Sequence, residues 1–276
     1  MKVLIVGLGL MGGAYAYKLK NKGYKVYGTD IDKKSIEYAL FNGFIDDGSV
    51  KPELFIKKAD FIIIALYPNL ILDFIKKYSK YFNENQIITD ISGVKTSFVE
   101  EAERLALPAS YVSHHPMAGR EKSGVNYSKE VDFNEANFLI TTTDNSKKFA
   151  IELLKTVGKD LGFGRINVID IKKHDQMIGF TSQLTHAIAV SLVNSDHAKD
   201  TKNFIGDSYR DLTRIAKINE ILWSELFLEN KDNLLKSIES FEHELDKLKE
   251  ALNNNDRDKL KELFINSTKI RKEMDK

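Results

Sequence analysis

A chain of 276 residues exceeds the roughly 100 to 200 residues of one ordinary domain, so two domains are expected. Its 42% hydrophobic and 29% charged residues exclude a disordered polymer, and 41 Lys and Arg against 40 Asp and Glu leave a net charge of +1, too small a field to draw in nucleic acid. Absence of cysteine excludes disulfides and thiol chemistry together, and no apolar run reaches the roughly 20 residues that span a bilayer, so a cytoplasmic protein with no membrane partner is expected.

Val3-Leu4-Ile5-Val6 is a continuous apolar run, as in a central parallel strand covered on both faces. Gly7-Leu8-Gly9-Leu10-Met11-Gly12 follows at once, and Gly13 to Leu19 opens a helix. Between a strand and a helix, Gly-x-Gly-x-x-Gly has a physical meaning: Gly7 makes the tight turn, Gly9 lets a pyrophosphate approach the backbone, and Gly12 lets helix pack on strand. Residues 25 to 29 read as a second strand ending in Asp30, the distance at which a carboxylate reaches the adenosine ribose. A carboxylate there favours NAD over NADP, although Lys33 and Lys34 are cations that could hold a 2′-phosphate or simply face water. Asp32 is expected to cap the next helix.

The alternation continues with strands at 60 to 65 and 86 to 90 and helices at 70 to 81 and 95 to 105, the last closed by Pro108. Tyr111-Val112 reads as a strand leading into a turn, Ser113 to Gly124; a further strand is expected at 137 to 142, a helix at 146 to 161 and a short strand at 165 to 168. Such repetition predicts an α/β fold with a doubly wound, Rossmann-type parallel sheet over residues 1–165. Ligands of these sheets bind at the strands' carboxyl ends, which brings Leu66-Tyr67-Pro68, Asp90 to Lys95 and His114 to Gly124 around one crevice. His115 is there placed to exchange a proton with a substrate lying against the cofactor.

After Val168 no proline remains and the pattern turns helical, predicting an all-α second domain over 166–276. A helix is expected from 170 to 198, with Asp175, Gly179, Ser182 and His186 on one stripe, either a close helix crossing or a binding face. Arg210 and Arg214 lie four apart; they are surface ion pairs or a clamp for a carboxylate. From Trp223, Leu234, Ile238, Phe241, Leu245, Leu248 and Leu252 alternate steps of four and three, a seam for a partner helix in this chain or a second subunit. No metal-ligand spacing is present, because His174, His186, His197 and His243 have no matching acidic set.

With these residues laid out, the chain resembles the prephenate dehydrogenase family, which includes enzymes acting on arogenate. Four separated motifs carry the resemblance: Gly7 to Gly12, Asp90 to Lys95, His115-Pro116-Met117-Ala118-Gly119 with Glu121-Lys122-Ser123-Gly124, and Ser182 to His186 with Asp211 to Ala216. The resemblance implies that His115 is catalytic, that His186 and Arg214 hold the substrate with Ser182, and that Glu121 and Trp223 line or close the pocket. It implies NAD as cofactor and a homodimer joined through the helical half. Two departures stand out. Where the family often has Asp-x-Gly-Ser-x-Lys, this chain reads Asp90-Ile91-Ser92-Gly93-Val94-Lys95, leaving Ser92 as the displaced candidate for the serine that assists the substrate hydroxyl. Where the family often has Ser-His-x-Pro-His, it reads Ser182-Gln183-Leu184-Thr185-His186.

The expected reaction is NAD-dependent oxidative decarboxylation of prephenate to 4-hydroxyphenylpyruvate, a small-molecule reaction of tyrosine biosynthesis that needs no metal. The rivals are the same reaction on arogenate, a 3-hydroxy acid dehydrogenase, for which Lys172 and Lys173 lie too near the start of their helix, and a non-catalytic NAD-sensing protein.

Overall fold

The computed structural model describes residues 1–118 and 122–275. By contacts the chain divides into one compact unit, Met1–Asn230, and a second from Lys231 onward.

In the first unit, β1 (Lys2–Val6), α1 (Leu10–Asn21), β2 (Lys25–Thr29), α2 (Lys33–Phe41), the two-residue β3 (Asp47–Gly48), α3 (Glu53–Ile56), β4 (Phe61–Ile64), α4 (Pro68–Tyr78), β5 (Ile87–Asp90), α5 (Val99–Ala106) and β6 (Ser110–Tyr111) alternate along the chain, the short β3 and α3 being additional to the expected elements. The six strands form one parallel sheet in the order β3-β2-β1-β4-β5-β6. Successive β1 side chains enter opposite layers: Val3 and Ile5 pack with Ala14, Tyr15 and Leu19 of α1, whereas Leu4 and Val6 pack with Ile71 and Ile75 of α4. This is why the run is apolar without alternation: both faces of the strand are covered. The order reverses between β1 and β4, and ligands of such sheets lie outside the strands' carboxyl ends at that point.

The next segment departs from the expected parallel continuation. Residues 113 to 116, expected as a turn, form a strand, β7 (Ser113–Pro116), in a separate three-stranded sheet with β8 (Asn137–Thr142) and β9 (Arg165–Asp170). β7 runs antiparallel to β8, with His115 opposite Leu139, and β8 runs parallel to β9 across α6 (Lys148–Leu161). The strand conformation matters for function, because neighbours on a strand point to opposite faces. His114 is completely buried and His115 half-buried.

The helix expected over 170 to 198 is α7 (Ile171–Ile178), a π-helical stretch Gly179–Gln183 and α8 (Leu184–Asn194). Then come α9 (Asp207–Thr213), a 3-10 turn Arg214–Ala216 and α10 (Glu220–Glu229). Ile171 of α7 and Leu226 of α10 join the core layer of β4, β5 and α4, so this helical segment is packed onto the sheet. The second unit is a pair of contacting helices, α11 (Lys231–Asn253) and α12 (Arg257–Met274), separated at Asn254 to Asp256, where Asp256 caps α12 through Lys259 N–H at 2.8 Å. Among the described residues no helix is long and apolar enough to cross a membrane, and no cluster of three potential metal ligands occurs.

Candidate active site

The glycine loop has the geometry a dinucleotide needs. Gly7 has φ +90°, and a Cβ there would lie 2.5 Å from the carbonyl oxygen of Ala65. At Gly12 a Cβ would collide with Gly7 O at 1.9 Å, so α1 can approach the turn only without a side chain. Gly9 differs: a Cβ built on it meets nothing within 4 Å, and the position is exposed. The open face of the loop lies there, between Leu8 and the first turn of α1 at Leu10 and Met11, where unpaired helix N–H groups favour phosphate. Asp30 accepts a hydrogen bond from Leu8 N–H at 2.6 Å and one from Asp32 N–H at 2.8 Å, so the carboxylate that ends β2 also tethers the loop. Asp32 caps α2 through Lys34 N–H at 3.0 Å, as expected. These residues fit NAD: a cradle for its pyrophosphate, and a half-buried carboxylate with lone pairs left for the ribose.

Behind the loop the two histidines part company. His114 is held by Tyr15 Oη at 3.0 Å on Nε2 and Thr89 Oγ1 at 2.7 Å on Nδ1, stacked on Phe138. Burial, then the nearby Lys95 charge, pushes its pKa well below 6.5, so it is a neutral structural ring. His115 lies on the opposite face, and its pKa also falls well below 6.5, through burial first and then through His174, Lys95 and His114. Its Nδ1 is 2.9 Å from His174 Nε2, and His174 Nδ1 is 2.7 Å from Asp175 Oδ1.

The loop after β5 supports this strand. Lys95 donates to Asp90 Oδ1 at 2.9 Å and to the His114 carbonyl at 2.8 Å, while Tyr111 donates to Asp90 Oδ2 at 2.6 Å. Ser92 is buried; its N–H donates to Asp90 Oδ1 at 2.8 Å and its Oγ accepts from Val94 N–H at 3.3 Å, so the hydroxyl serves its own loop. Gly93 is the residue against the imidazole: a Cβ there would lie 3.7 Å from both Cε1 and Nε2 of His115, and 3.3 Å from Leu226 Cδ2.

Leu226 leads along α10 to Trp223, one turn earlier, whose ring stacks on His186 with centroids 3.6 Å apart. His186 Nδ1 is 2.9 Å from the Ser182 carbonyl; both residues are half-buried. The 3-10 turn headed by Arg214 packs beside α8, the helix that bears His186. Arg214 is exposed, and Arg210 is ion-paired with Asp207. A cavity of about 260 Å³ between α8 and α10 shares only Trp223 with these residues. Glu121 lies outside the described residues, as do Gly119 and Arg120.

Two residues that this chain of contacts joins to His115, His174 and Asp175, were not tied to it by the sequence. The first was visible only as a histidine without metal-ligand spacing, the second only as a member of a helical stripe. The signal that could have joined them was their adjacency at a helix start, just after the Asp170 cap.

An imidazole of low proton affinity, carried beside the carboxyl end of a dinucleotide-binding sheet, puts the chain in the class of nicotinamide-dependent dehydrogenases with a helical second half. Two family models cover nearly all of it: prephenate dehydrogenase, nucleotide-binding domain, over residues 15–168, and prephenate dehydrogenase, dimerization domain, over residues 170–266. The chain belongs to the prephenate dehydrogenase family, and it is an NAD-dependent oxidoreductase. It is 31% identical to the prephenate dehydrogenase of Bacillus subtilis over 95% of this chain and 73% of that one. Among solved structures, prephenate dehydrogenase from Aquifex aeolicus, in complex with hydroxyphenyl propionate and NAD+, matches with a TM-score of 0.89 and 33% identity, covering 100% of this chain and 98% of that one. Synechocystis arogenate dehydrogenase matches with a TM-score of 0.85 and 25% identity, covering 99% and 100%.

Proposed function

We propose that this enzyme converts prephenate and NAD+ to 4-hydroxyphenylpyruvate, carbon dioxide and NADH in tyrosine biosynthesis, with His115 as the catalytic base. The observation that carries the reading is His115 itself, half-buried, its pKa held well below 6.5 by burial, with Gly93 bordering the Nε2 edge of its ring. NAD+, when bound along Gly7 to Gly12 with its ribose at Asp30, supplies the hydride acceptor.

The proton inventory explains why one imidazole suffices. As the ring carbon is oxidised, Nε2 of His115 takes the proton of its hydroxyl, so that positive charge does not build on oxygen. When the ring carboxylate leaves as carbon dioxide, its bonding electron pair enters the ring and completes the aromatic system, and the former hydroxyl oxygen becomes a phenolate. His115 returns the proton there. A base whose cationic form is disfavoured by burial suits a proton that is borrowed and given back. Arg214 anchors one substrate carboxylate as a planar donor fork, with His186 and Ser182 as further polar partners, while Trp223 lines the pocket. Ser92 supports the loop, and position 93 is the neighbour of the base.

The apolar residues left exposed along the helical pair, Phe241, Leu245, Leu252, Phe264 and Ile265, support a homodimer through residues 166–276, with residues 1–165 as the dinucleotide domain. The reading also makes the protein cytoplasmic, where both small molecules are found. Incubation with NAD+ and prephenate, then with arogenate, followed by NADH absorbance and identification of the product, tests the function. Rapid NADH formation with prephenate is expected; turnover of arogenate alone would transfer the reading to that substrate, and turnover of neither would end it.

A further inference from the structure

A general base must present a lone pair, and whether Nε2 of His115 does so depends on where the single hydrogen of the neutral ring sits. Two completely buried side chains, His174 and Asp175, decide this. Asp175 accepts hydrogen bonds from Lys95 N–H at 3.0 and 3.2 Å, from Thr96 N–H at 2.8 Å and from the Thr96 hydroxyl at 2.5 Å. Burial works to raise its pKa, but bonds from His174 and from Thr96 outweigh it and hold the carboxyl below its ordinary value. The carboxylate therefore has no proton to give, and its 2.7 Å contact with His174 requires the hydrogen on Nδ1 of His174. Neutral imidazole has one N–H, so Nε2 of His174 is an acceptor. Its 2.9 Å contact with Nδ1 of His115 then places the hydrogen of His115 on Nδ1.

We infer that His174 and Asp175 are positioning residues that set the tautomer of His115, leaving its Nε2 unprotonated on the edge that borders Gly93. The logic is that of a buried carboxylate orienting a catalytic histidine, extended by one imidazole. Two features make the relay necessary and stiff. Because residue 93 is glycine, no side chain at that position grips the outer edge of His115, so its orientation falls to the partner behind it. Asn230 donates to the Asp175 carbonyl and to Gln183 Oε1, each at 2.8 Å, and Gln183 donates to the Leu226 carbonyl at 2.7 Å. One buried web thus holds both the root of the relay and the helix whose Leu226 borders Gly93. Gln183 ends the π-helical stretch Gly179–Gln183, and such stretches recur at functional sites.

The inference rests on the dehydrogenase reading only for the hydroxyl that Nε2 receives, and its tests separate the two. In histidine-labelled wild-type protein above pH 6.5, nitrogen NMR should report His115 as the Nδ1–H tautomer; an Nε2–H tautomer overturns the inference whatever the substrate. His174→Phe removes the acceptor and should lower kcat on the order of 10- to 100-fold, with KM changed less than about threefold, the scale on which outer partners of a working imidazole act. His174→Gln restores an acceptor oxygen near the Nε2 position and should recover most of that loss. Equal kcat in the Phe and Gln variants, or wild-type kcat in the Phe variant, would overturn it. Should the Phe variant not fold, the wild-type tautomer decides. If the wild type turns over neither prephenate nor arogenate, the functional reading fails while the tautomer measurement still judges the relay.

Discussion

Lys95 Nζ lies 2.9 Å from Asp90 Oδ1 with neither side chain exposed, and the same ammonium reaches the carbonyl of His114. Burial lowers the lysine's pKa while Asp90 opposes the shift, so the charge persists only because it is paired. The pair fastens the loop after β5 to the strand that carries His115. Lys95→Met leaves Asp90 buried with Tyr111 as its remaining side-chain donor and should cost about 3 to 5 kcal/mol, the range for breaking a buried pair from one side. Urea unfolding followed by circular dichroism measures it; a loss below about 1 kcal/mol would mean that the site is not built on this pair.

Asp30 tethers Leu8 N–H, and in the proposed cofactor site it also receives the ribose. Asp30→Ala should raise KM for NAD+ about 10- to 100-fold, the worth of a hydrogen bond to a charged group, with kcat nearly kept. It should also narrow the preference over NADP+, since the carboxylate that repels a 2′-phosphate is gone. Initial rates over a range of each cofactor check both effects.

Arg214→Gln should mainly raise KM for the substrate, because it removes the charge-assisted contact proposed for it, one made before and during reaction. An unchanged KM in steady-state assays would put the substrate carboxylate elsewhere.

Gly93→Val places branched methyl groups where a Cβ is already 3.3 Å from Leu226 and 3.7 Å from His115 Nε2. A misplacement of about 1 Å at a reacting pair costs up to roughly 100-fold, so kcat/KM should fall by 10- to 100-fold. The dissociation constant for NAD+, measured by fluorescence titration, should not change.

Acid stability follows from the buried imidazoles. His114, His115 and His174 all have pKa values below 6.5 in the folded protein, chiefly through burial. As pH falls through 6.5 the unfolded chain takes up protons that the folded one refuses, so stability present above pH 6.5 is lost progressively toward the folded values. Urea midpoints should fall between pH 7.5 and 5.5, and His114→Asn should weaken that dependence. A pH-independent midpoint over this range would mean that the rings are not held neutral.

Much of the fold could be read from residue order, for identifiable reasons. The apolar runs of β1 and β4 report burial on both faces, and Gly7 to Gly12 reports a turn that only glycine can make at its ends. The small sheet was not legible, because Ser113 to Pro116 is too short and too polar to show a period, and its strand partner β8 comes more than 20 residues later. That mattered chemically: as a turn, both histidines would be surface groups, whereas a strand divides them between a structural and a reactive face. Topology singled out His115 and a helical stripe singled out His186 before the family resemblance supplied their roles and that of Trp223, and the latter two rings stack together. His174 and Asp175 stayed hidden because neighbours in sequence do not share a helix face, so no periodicity joins them, and the donors on Asp175 come from Lys95 and Thr96, some 80 residues away.

The central claim is that Nε2 of His115 takes the proton of the substrate's ring hydroxyl. The most direct test is kcat of His115→Asn with prephenate at saturating NAD+. A fall of roughly 10²- to 10⁴-fold with KM little changed is expected, and near-normal turnover would contradict the assignment.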